Sequence, residues 1–126
     1  MVAMPKNKES TRYYSDRQEK SVAKALCGWQ QSNSGAGHFA KGDVIVPSTM
    51  LVECKCSMSP KQSVSIKKEW IEKNIEEARA QRMGIGAIAF NFEPDGKNYY
   101  VIDEQLMKAL VEHLREYYDE SNSKFV

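Results

Sequence analysis

Two carboxylates and a lysine near the middle of the chain have a spacing that could serve metal-dependent chemistry. Asp43 lies in one short apolar run, and Glu53 and Lys55 lie in the next. The runs are separated by Pro-Ser-Thr at 47–49, a composition typical of a hairpin loop. With a loop of these three residues, Asp43 faces Glu53 directly across the two strands. Because side chains alternate between the faces of a strand, Lys55 projects on the same face as Glu53.

This convergence predicts a cation site. Like charges directly opposite each other destabilise a sheet, and a divalent cation between them would remove the repulsion. Mg²⁺ prefers oxygen ligands, usually one or two carboxylates together with water and substrate phosphate. Asp43 and Glu53 would supply the carboxylates, and the backbone carbonyl of Cys54 is a further candidate ligand. Lys55 could orient or deprotonate an attacking water, or neutralise charge in the transition state.

The first predicted helix is expected to bring a further acidic residue to this site. The helix runs from the N-cap Ser15 to about Cys27 and stops at Gly28. Its apolar stripe consists of Val22, Ala23 and Leu26. Extended backwards by three or four residues, the stripe reaches Glu19, which is therefore predicted to face inward. There Glu19 could complete the metal shell or hold a second ion, since an unpaired inward charge is costly.

Each of these residues also has a purely structural interpretation. Asp43 follows a glycine and could be a turn residue, and Glu53 and Lys55 could form an exposed ion pair of little energetic weight. Glu19 could bond to a nearby tyrosine or arginine. Taken together, these interpretations require three acids and a lysine to gather by accident where the hairpin register and the helix stripe place them.

The surrounding pattern predicts one α/β domain with a mixed central β-sheet flanked by helices. The predicted elements are, in order, a helix (15–27), a short strand (29–31), the two hairpin strands, a helix (65–83), two strands (85–92 and 99–102) and a helix capped by Asp103. A mixed sheet of four or five strands would bury the apolar stripes of all three helices. The domain is predicted over 12–118, with flexible polar tails at 1–11 and 119–126.

Composition and charge narrow the class of protein. The chain has 126 residues, of which 41% are hydrophobic, as expected for a single globular domain. Its formal net charge is +1, so any basic surface for nucleic acid must be local. No run of eighteen apolar residues and no secretory signal is found, which predicts a cytoplasmic protein, in the host cytoplasm if the source is viral.

Three cysteines, an odd number, indicate a reducing compartment. Cys54 and Cys56 would project from one strand face into the core, where buried free cysteine is common. The alternative is a zinc site formed by cysteines from among Cys27, Cys54 and Cys56, with His38 and His113 as spare ligands, although no CxxC pair supports it.

The hairpin motif resembles the signature of the PD-(D/E)xK nuclease superfamily. Gly42-Asp43 is followed after nine residues by Glu53-Cys54-Lys55, and Glu19 resembles the first acidic motif of that superfamily. Ser34-Gly35-Ala36 resembles the Ser-Gly loop of archaeal and phage Holliday junction resolvases, and Gln62 stands where many members have a glutamine. The resemblance spans about Arg12 to Leu114. Glycine replaces the usual proline before Asp43, which affects backbone stiffness and not a ligand.

The resemblance implies a restriction-endonuclease-like core and a magnesium-dependent enzyme, with Mn²⁺ expected to substitute. Such an enzyme hydrolyses DNA with metal-activated water and leaves a 5′-phosphate and a 3′-hydroxyl. Asp43 and Glu53 would bind the metal and Lys55 would be the catalytic lysine. Glu19 would be the fourth acidic-motif residue, and Ser34 would contact phosphate or the metal shell.

Basic residues near these motifs are candidate contacts to the DNA backbone. Together with Ser34 and Gln62, the candidates are Arg12, Arg17, Lys20, His38, Lys41, Lys61, Lys67 and Lys68. Lysines on helices are also common on solvent-exposed faces that bind nothing. No pattern of aromatic residues indicates sequence-specific contacts with the DNA bases. Specificity would then come from DNA shape.

Three functions remain open from the sequence. The first is a structure-selective endonuclease most like a Holliday junction resolvase, which would act on four-way junctions as a homodimer. Trp29, Tyr117 and Tyr118 could form the dimer surface or the edges of the core. The second is a general, restriction or repair nuclease, although the chain lacks room for a separate target-recognition domain. The third is a non-catalytic DNA-binding module of the same fold, against which the intact set of acids and lysine argues.

Overall fold

Residues 7–31 and 43–121 are described by the computed structural model, and within these ranges the chain forms three helices and five strands. In chain order they are α1 (Asn7–Leu26), β1 (Trp29–Gln30), β2 (Asp43–Val46), β3 (Met50–Lys55), α2 (Lys68–Ala80), β4 (Ile85–Phe90), β5 (Tyr99–Val101) and α3 (Glu104–Ser121). The predicted order of helices and strands is confirmed.

The strands form one mixed sheet in the order β1-β2-β3-β4-β5. Neighbouring strands are antiparallel except β3 and β4, which run parallel. Parallel neighbours need a crossover connection, and α2 supplies it. The predicted α/β class with a mixed, helix-flanked sheet is therefore confirmed, and the number of strands is five.

The β2–β3 hairpin has the predicted register. Val46 pairs with Met50, and Asp43 pairs with Glu53. The turn is closed by the Thr49 N–H, which donates to the Val46 carbonyl at 2.9 Å. Three loop residues thus set the pairing that brings the two carboxylates to opposite positions on neighbouring strands.

The two faces of the sheet are covered by different helices. On one face Val44 and Val52 are buried against Val22 of α1. Side chains on the other face, which alternate with these, include the buried Leu51 and Ile88. Helix α2 packs there, against β3 and β4.

Helix α2 lies close to the sheet because β4 carries a glycine beneath it. Asn74 is buried, and its Nδ2 donates to the Leu51 carbonyl at 3.2 Å. A Cβ built on Gly86, the strand partner of Leu51, would collide with the Asn74 amide oxygen. Glycine at this position lets the amide bond to β3, which fixes the helix against the strand that carries Glu53.

The helix ends differ from the predicted ones. Helix α1 begins at Asn7, eight residues before the predicted N-cap Ser15, so 7–11 is helical where a tail was predicted. The helix ends at Leu26 and is followed by Cys27, which has a φ of 57°. The Gly28 N–H then donates to the Ala23 carbonyl at 2.8 Å. Helix α2 begins at Lys68, three residues after the predicted 65, and α3 continues past 118 to Ser121.

The last helix begins as predicted and remains largely exposed. The Asp103 carboxylate accepts a hydrogen bond from the Leu106 N–H at 2.9 Å, as expected of an N-cap. Within the described ranges, no helix combines the length and the apolar character that crossing a membrane requires.

Candidate metal centre

Two carboxylates from the hairpin and one from α2 meet on the face of the sheet that α2 covers. Asp43 and Glu53 are 3% and 7% exposed, and Glu77 is partly exposed. One carboxylate oxygen from each lies within 4.8 Å of the other two. Hard divalent cations bind oxygens at about 2.0–2.6 Å, so ligands on opposite sides of one ion lie about 4–5 Å apart. The all-oxygen donor set and its spacing fit Mg²⁺, Mn²⁺ or Ca²⁺.

The local charge also favours a cation. The Lys55 ammonium lies 3.0 Å from Glu53 Oε2 and neutralises one of the three carboxylates. Three carboxylates whose oxygens lie within 4.8 Å of one another repel when they are ionised. Because gathering like charges in a partly buried place is costly, a divalent ion is the ligand that this group of side chains best accommodates.

Lys55 is held beside the carboxylates by an aromatic ring. Its Nζ lies 4.4 Å from the centre of the Trp70 ring, within the range of a cation–π interaction. Its side chain is 31% exposed, so the ammonium can reach a bound substrate. From the other face of the sheet, the buried Gln18 donates from Nε2 to the Lys55 carbonyl at 3.1 Å, which fixes the end of β3.

A single helix supports the whole group. Trp70, Asn74 and Glu77 are spaced by four and three residues, so they lie along one face of α2. Trp70 contacts Lys55, Asn74 bonds to β3, and Glu77 adds the third carboxylate. The position of α2 on β3 therefore sets the distance between the lysine support and the acidic group.

Glu77 was missed from the sequence, although a signal for it was present. The sequence predicts a helix over 65–83 whose buried stripe consists of Trp70, Ile71, Ile75 and Ala78. Glu77 follows Trp70 by seven residues, which is two helical turns, and lies next to Ala78. A charged residue at the edge of a buried helical stripe is the same kind of signal that singled out Glu19.

The structure does not bring Glu19 to the carboxylate group. Glu19 Oε1 accepts a hydrogen bond from Gln30 Nε2 at 2.8 Å. Gln30 pairs with Val44 and so lies on the α1 face, opposite the face of Asp43 and Glu53. Glu19 does face inward, as predicted, and burial raises its pKa. The site thus forms where the hairpin meets the second helix, not the first.

The candidate DNA contacts fall into two groups. Lys61, Gln62, Lys67 and Lys68 are exposed between the end of β3 and the first turn of α2, at the same end of the sheet as Lys55. Arg12, Arg17 and Lys20 are exposed on α1, where Arg17 bonds to Asp95 at 2.7 Å and Lys20 to Asp16 at 2.9 Å. Ser34, His38 and Lys41 lie outside the described residues.

The cysteines do not form a metal site in the part of the chain that is described. All three are unpaired, Cys27 is exposed, and Cys54 packs into the α1 core as predicted. Burial raises the pKa of the Cys54 and Cys56 thiols, which keeps them protonated. Among the described residues, the group with metal-ligand geometry contains carboxylates alone. The Cys54 carbonyl as a ligand stays a prediction.

No protein-family model, curated protein or solved structure matches this chain. Function is therefore inferred from the residues and their geometry.

Proposed function

We propose that this protein is a magnesium-dependent DNA endonuclease that recognises branched DNA, most like a Holliday junction resolvase. One observation carries the proposal: Asp43, Glu53 and Lys55 converge on one face of the hairpin, with Glu77 added from α2. The five-stranded mixed sheet flanked by helices is compatible with the restriction-endonuclease-like core that the sequence motif implies.

Each residue of the site would have a distinct role. Asp43, Glu53 and Glu77 would hold the divalent ion through carboxylate oxygens. The ion would supply Lewis acidity, polarising a phosphoryl oxygen and lowering the pKa of a water. Lys55 would donate a hydrogen bond to the attacking water or to a non-bridging phosphate oxygen, where negative charge increases in the transition state. Glu53, 3.0 Å away, keeps this ammonium oriented.

The basic residues beside Lys55 favour DNA as the substrate. Lys61, Lys67 and Lys68 are exposed at the end of the sheet where Lys55 is also exposed, so a phosphate backbone bound there would pass the carboxylates. Contacts of this kind position a duplex without reading its sequence. Selection by DNA shape, such as that of a four-way junction, needs no contact with the base edges. Symmetric cutting of a junction would require a homodimer.

Cleavage of matched synthetic substrates tests the proposal. With Mg²⁺, and with Mn²⁺ as a substitute, the wild type should cut a four-way junction faster than a linear duplex or a flap of the same sequence. Asp43→Asn, Glu53→Gln and Lys55→Ala should each slow cutting by at least about 100-fold while junction binding is retained. Glu76→Gln, on the exposed side of α2, is the matched control and should cut normally.

Three outcomes would contradict the proposal in different ways. Normal cutting by Asp43→Asn and Glu53→Gln would show that the carboxylate group is not the active site. A wild type that binds junctions but never cuts them with either metal would indicate a non-catalytic DNA-binding module. Equal cutting of all three substrates would instead indicate a general nuclease with the same chemistry.

A further inference from the structure

A glutamine next to Asp43 extends the carboxylate group to a third strand. Gln31 directly follows β1, and its N–H donates to the Asp43 carbonyl at 3.0 Å, so the register of β1 on β2 continues for one more residue. Asp43 in turn pairs with Glu53. Gln31, Asp43 and Glu53 therefore form a row across neighbouring strands. Because paired residues project on the same side of a sheet, all three lie on the face that α2 covers.

The side-chain oxygen of Gln31 is buried without a hydrogen bond. Gln31 as a whole is partly exposed, but its Oε1 atom is fully buried. Across residues 7–31 and 43–121, no donor reaches this oxygen. A buried amide oxygen that has exchanged water for nothing is costly, and such atoms are rare in folded proteins. This oxygen therefore indicates a ligand that the described chain does not itself provide.

The residues beside Gln31 in the row offer oxygens and no protons. An ionised carboxylate is an acceptor only, so Asp43 and Glu53 cannot satisfy an amide oxygen. The Lys55 ammonium lies two residues beyond Glu53 along β3, where it contacts that carboxylate at 3.0 Å and the Trp70 ring at 4.4 Å. An amide oxygen beside carboxylate oxygens is an arrangement that a hard divalent cation binds.

An amide suits this position better than a further carboxylate would. Asp43, Glu53 and Glu77 already place carboxylate oxygens within 4.8 Å of one another. Gln31 would add an oxygen without adding negative charge, so it would strengthen the hold on a cation without increasing the repulsion in the cation's absence. An octahedral Mg²⁺ held by these protein oxygens would still keep positions for water and for a substrate phosphate.

We propose that Gln31 is a fourth protein ligand of the divalent cation and binds it through Oε1, beside Asp43, Glu53 and Glu77. The inference rests on the proposed function, because it requires a cation at the carboxylate group. It gives the end of β1 a part in the site, so that the first three strands of the sheet and α2 all contribute oxygens.

Calorimetric titration of the metal-stripped full chain with MgCl₂ tests the assignment. Gln31→Met nearly keeps the length of the side chain and removes the oxygen. The Kd for Mg²⁺ should rise at least about tenfold, since losing even a group that only orients a metal ligand costs about 10–100-fold in affinity. Without metal, the Tm of this variant should be no lower than that of the wild type, because an unsatisfied buried oxygen has been removed.

Gln31→Glu should change both quantities in the opposite direction. It keeps an oxygen at the same place and adds a charge, so it should bind Mg²⁺ at least as tightly as the wild type. Without metal its Tm should be lower, because a further carboxylate then faces Asp43. A purely structural role for Gln31 would not produce this reversal between the two variants.

Gln30→Met is the matched control on the opposite face of the sheet. Gln30 Nε2 donates to Asp16 at 2.9 Å and to Glu19 at 2.8 Å. Loss of these bonds should lower the Tm without metal and leave the Kd for Mg²⁺ unchanged. Neighbouring glutamines should thus have separate effects, one on metal affinity and the other on stability.

The side-chain amide of Gln31 also gives a direct signal. In ¹⁵N-labelled wild type, its Nε2 resonance should shift on addition of MgCl₂ and saturate together with the calorimetric titration, whereas that of the exposed Gln62 should not move. A wild-type Kd in Gln31→Met, or an unmoved Gln31 resonance in protein that binds Mg²⁺, would overturn this inference and leave the proposed function standing. A wild type that binds no Mg²⁺ would overturn both.

Discussion

Replacing Glu77 with glutamine should have opposite effects on stability with and without a divalent metal. The substitution removes one negative charge from the group formed with Asp43 and Glu53 and keeps the size of the side chain. Without metal, the loss of repulsion should raise the free energy of unfolding. With metal, the loss of a ligand should reduce the stabilisation that Mg²⁺ provides.

The magnitudes follow from the distances. Two unit charges 4.8 Å apart repel by about 3.5 kcal/mol at an effective dielectric constant of about 20. Glu77 is partly exposed and Lys55 already offsets part of the repulsion, so the net gain without metal should be about 1 kcal/mol. Mg²⁺ at 100 times its Kd would stabilise the wild type by about 2.7 kcal/mol, and a tenfold weaker Kd would leave about 1.4 kcal/mol.

Thermal unfolding of metal-stripped protein, with and without added Mg²⁺, measures both effects. A change of 1 kcal/mol corresponds to about 3–5 °C in Tm. Without metal, the Tm of Glu77→Gln should therefore lie a few degrees above that of the wild type. Addition of Mg²⁺ should raise the Tm of the variant by about half as much as it raises that of the wild type. Glu76→Gln, one residue away and exposed, and Glu19→Gln, inward on α1, should keep the full metal-induced shift. An undiminished shift in Glu77→Gln, or its loss in Glu19→Gln, would refute the assignment of the site to α2.

Substitutions at Trp70, Gly86 and Glu19, with matched controls, test three individual features of the structure. Trp70→Leu removes the ring beside Lys55 and, under the proposed function, should slow cleavage by about tenfold in single-turnover kinetics, whereas Trp70→Phe should retain most of the rate, because a cation–π contact is worth about 0.5–2 kcal/mol. Gly86→Ala would place a methyl group against the buried Asn74 amide and should destabilise the fold by about 2 kcal/mol or more in urea unfolding. Gly84→Ala, with nothing within 4 Å of the added carbon, should change the same free energy by less than about 0.5 kcal/mol. Burial raises the pKa of Glu19 above its ordinary 4.5, so the folded state keeps this proton to higher pH than the unfolded state. The stability of the wild type should therefore fall relative to Glu19→Gln as pH rises from 4.5 through the raised pKa and then level off, as urea unfolding across that range would show.

The hairpin was the most predictable part of the site because its geometry is local. Pro47-Ser48-Thr49 fixed the loop length, and the two-residue period of a strand then paired Asp43 with Glu53. No contact with a distant part of the chain is needed for this pairing. Lys55 follows from the same period, since it is two residues beyond Glu53.

The helix ends were less predictable because residues other than glycine hold the left-handed positions. Cys27 and Arg82 have φ values of 57° and 61° at the ends of α1 and α2. The glycines used to predict these ends, Gly28 and Gly84, follow one and two residues later. At the start of α1, Ser15 suits an N-cap but lies mid-helix, since no proline or glycine interrupts 7–14.

The sequence could not assign the two inward-facing acids to the correct face of the sheet. A helical stripe shows which side of a helix is buried, and it placed Glu19 inward correctly. It does not show which face of the sheet that helix covers, because β3 is apolar on both faces, with Leu51 on one and Val52 on the other. Only the assembled fold shows that α2 covers the face of Glu53, and that Glu77 is therefore the acid that reaches it.

Helix α2 supplies three contacts of the site, and this has a physical consequence. Trp70, Asn74 and Glu77 belong to one rigid α2 segment, so a small rotation of α2 would move the lysine support and the third carboxylate together. The Asn74 bond to Leu51 opposes that rotation at a point between them. Metal affinity and lysine orientation should thus vary together rather than independently. A cation bound by Glu77 would therefore also restrain Trp70, the ring that lies over the Lys55 ammonium.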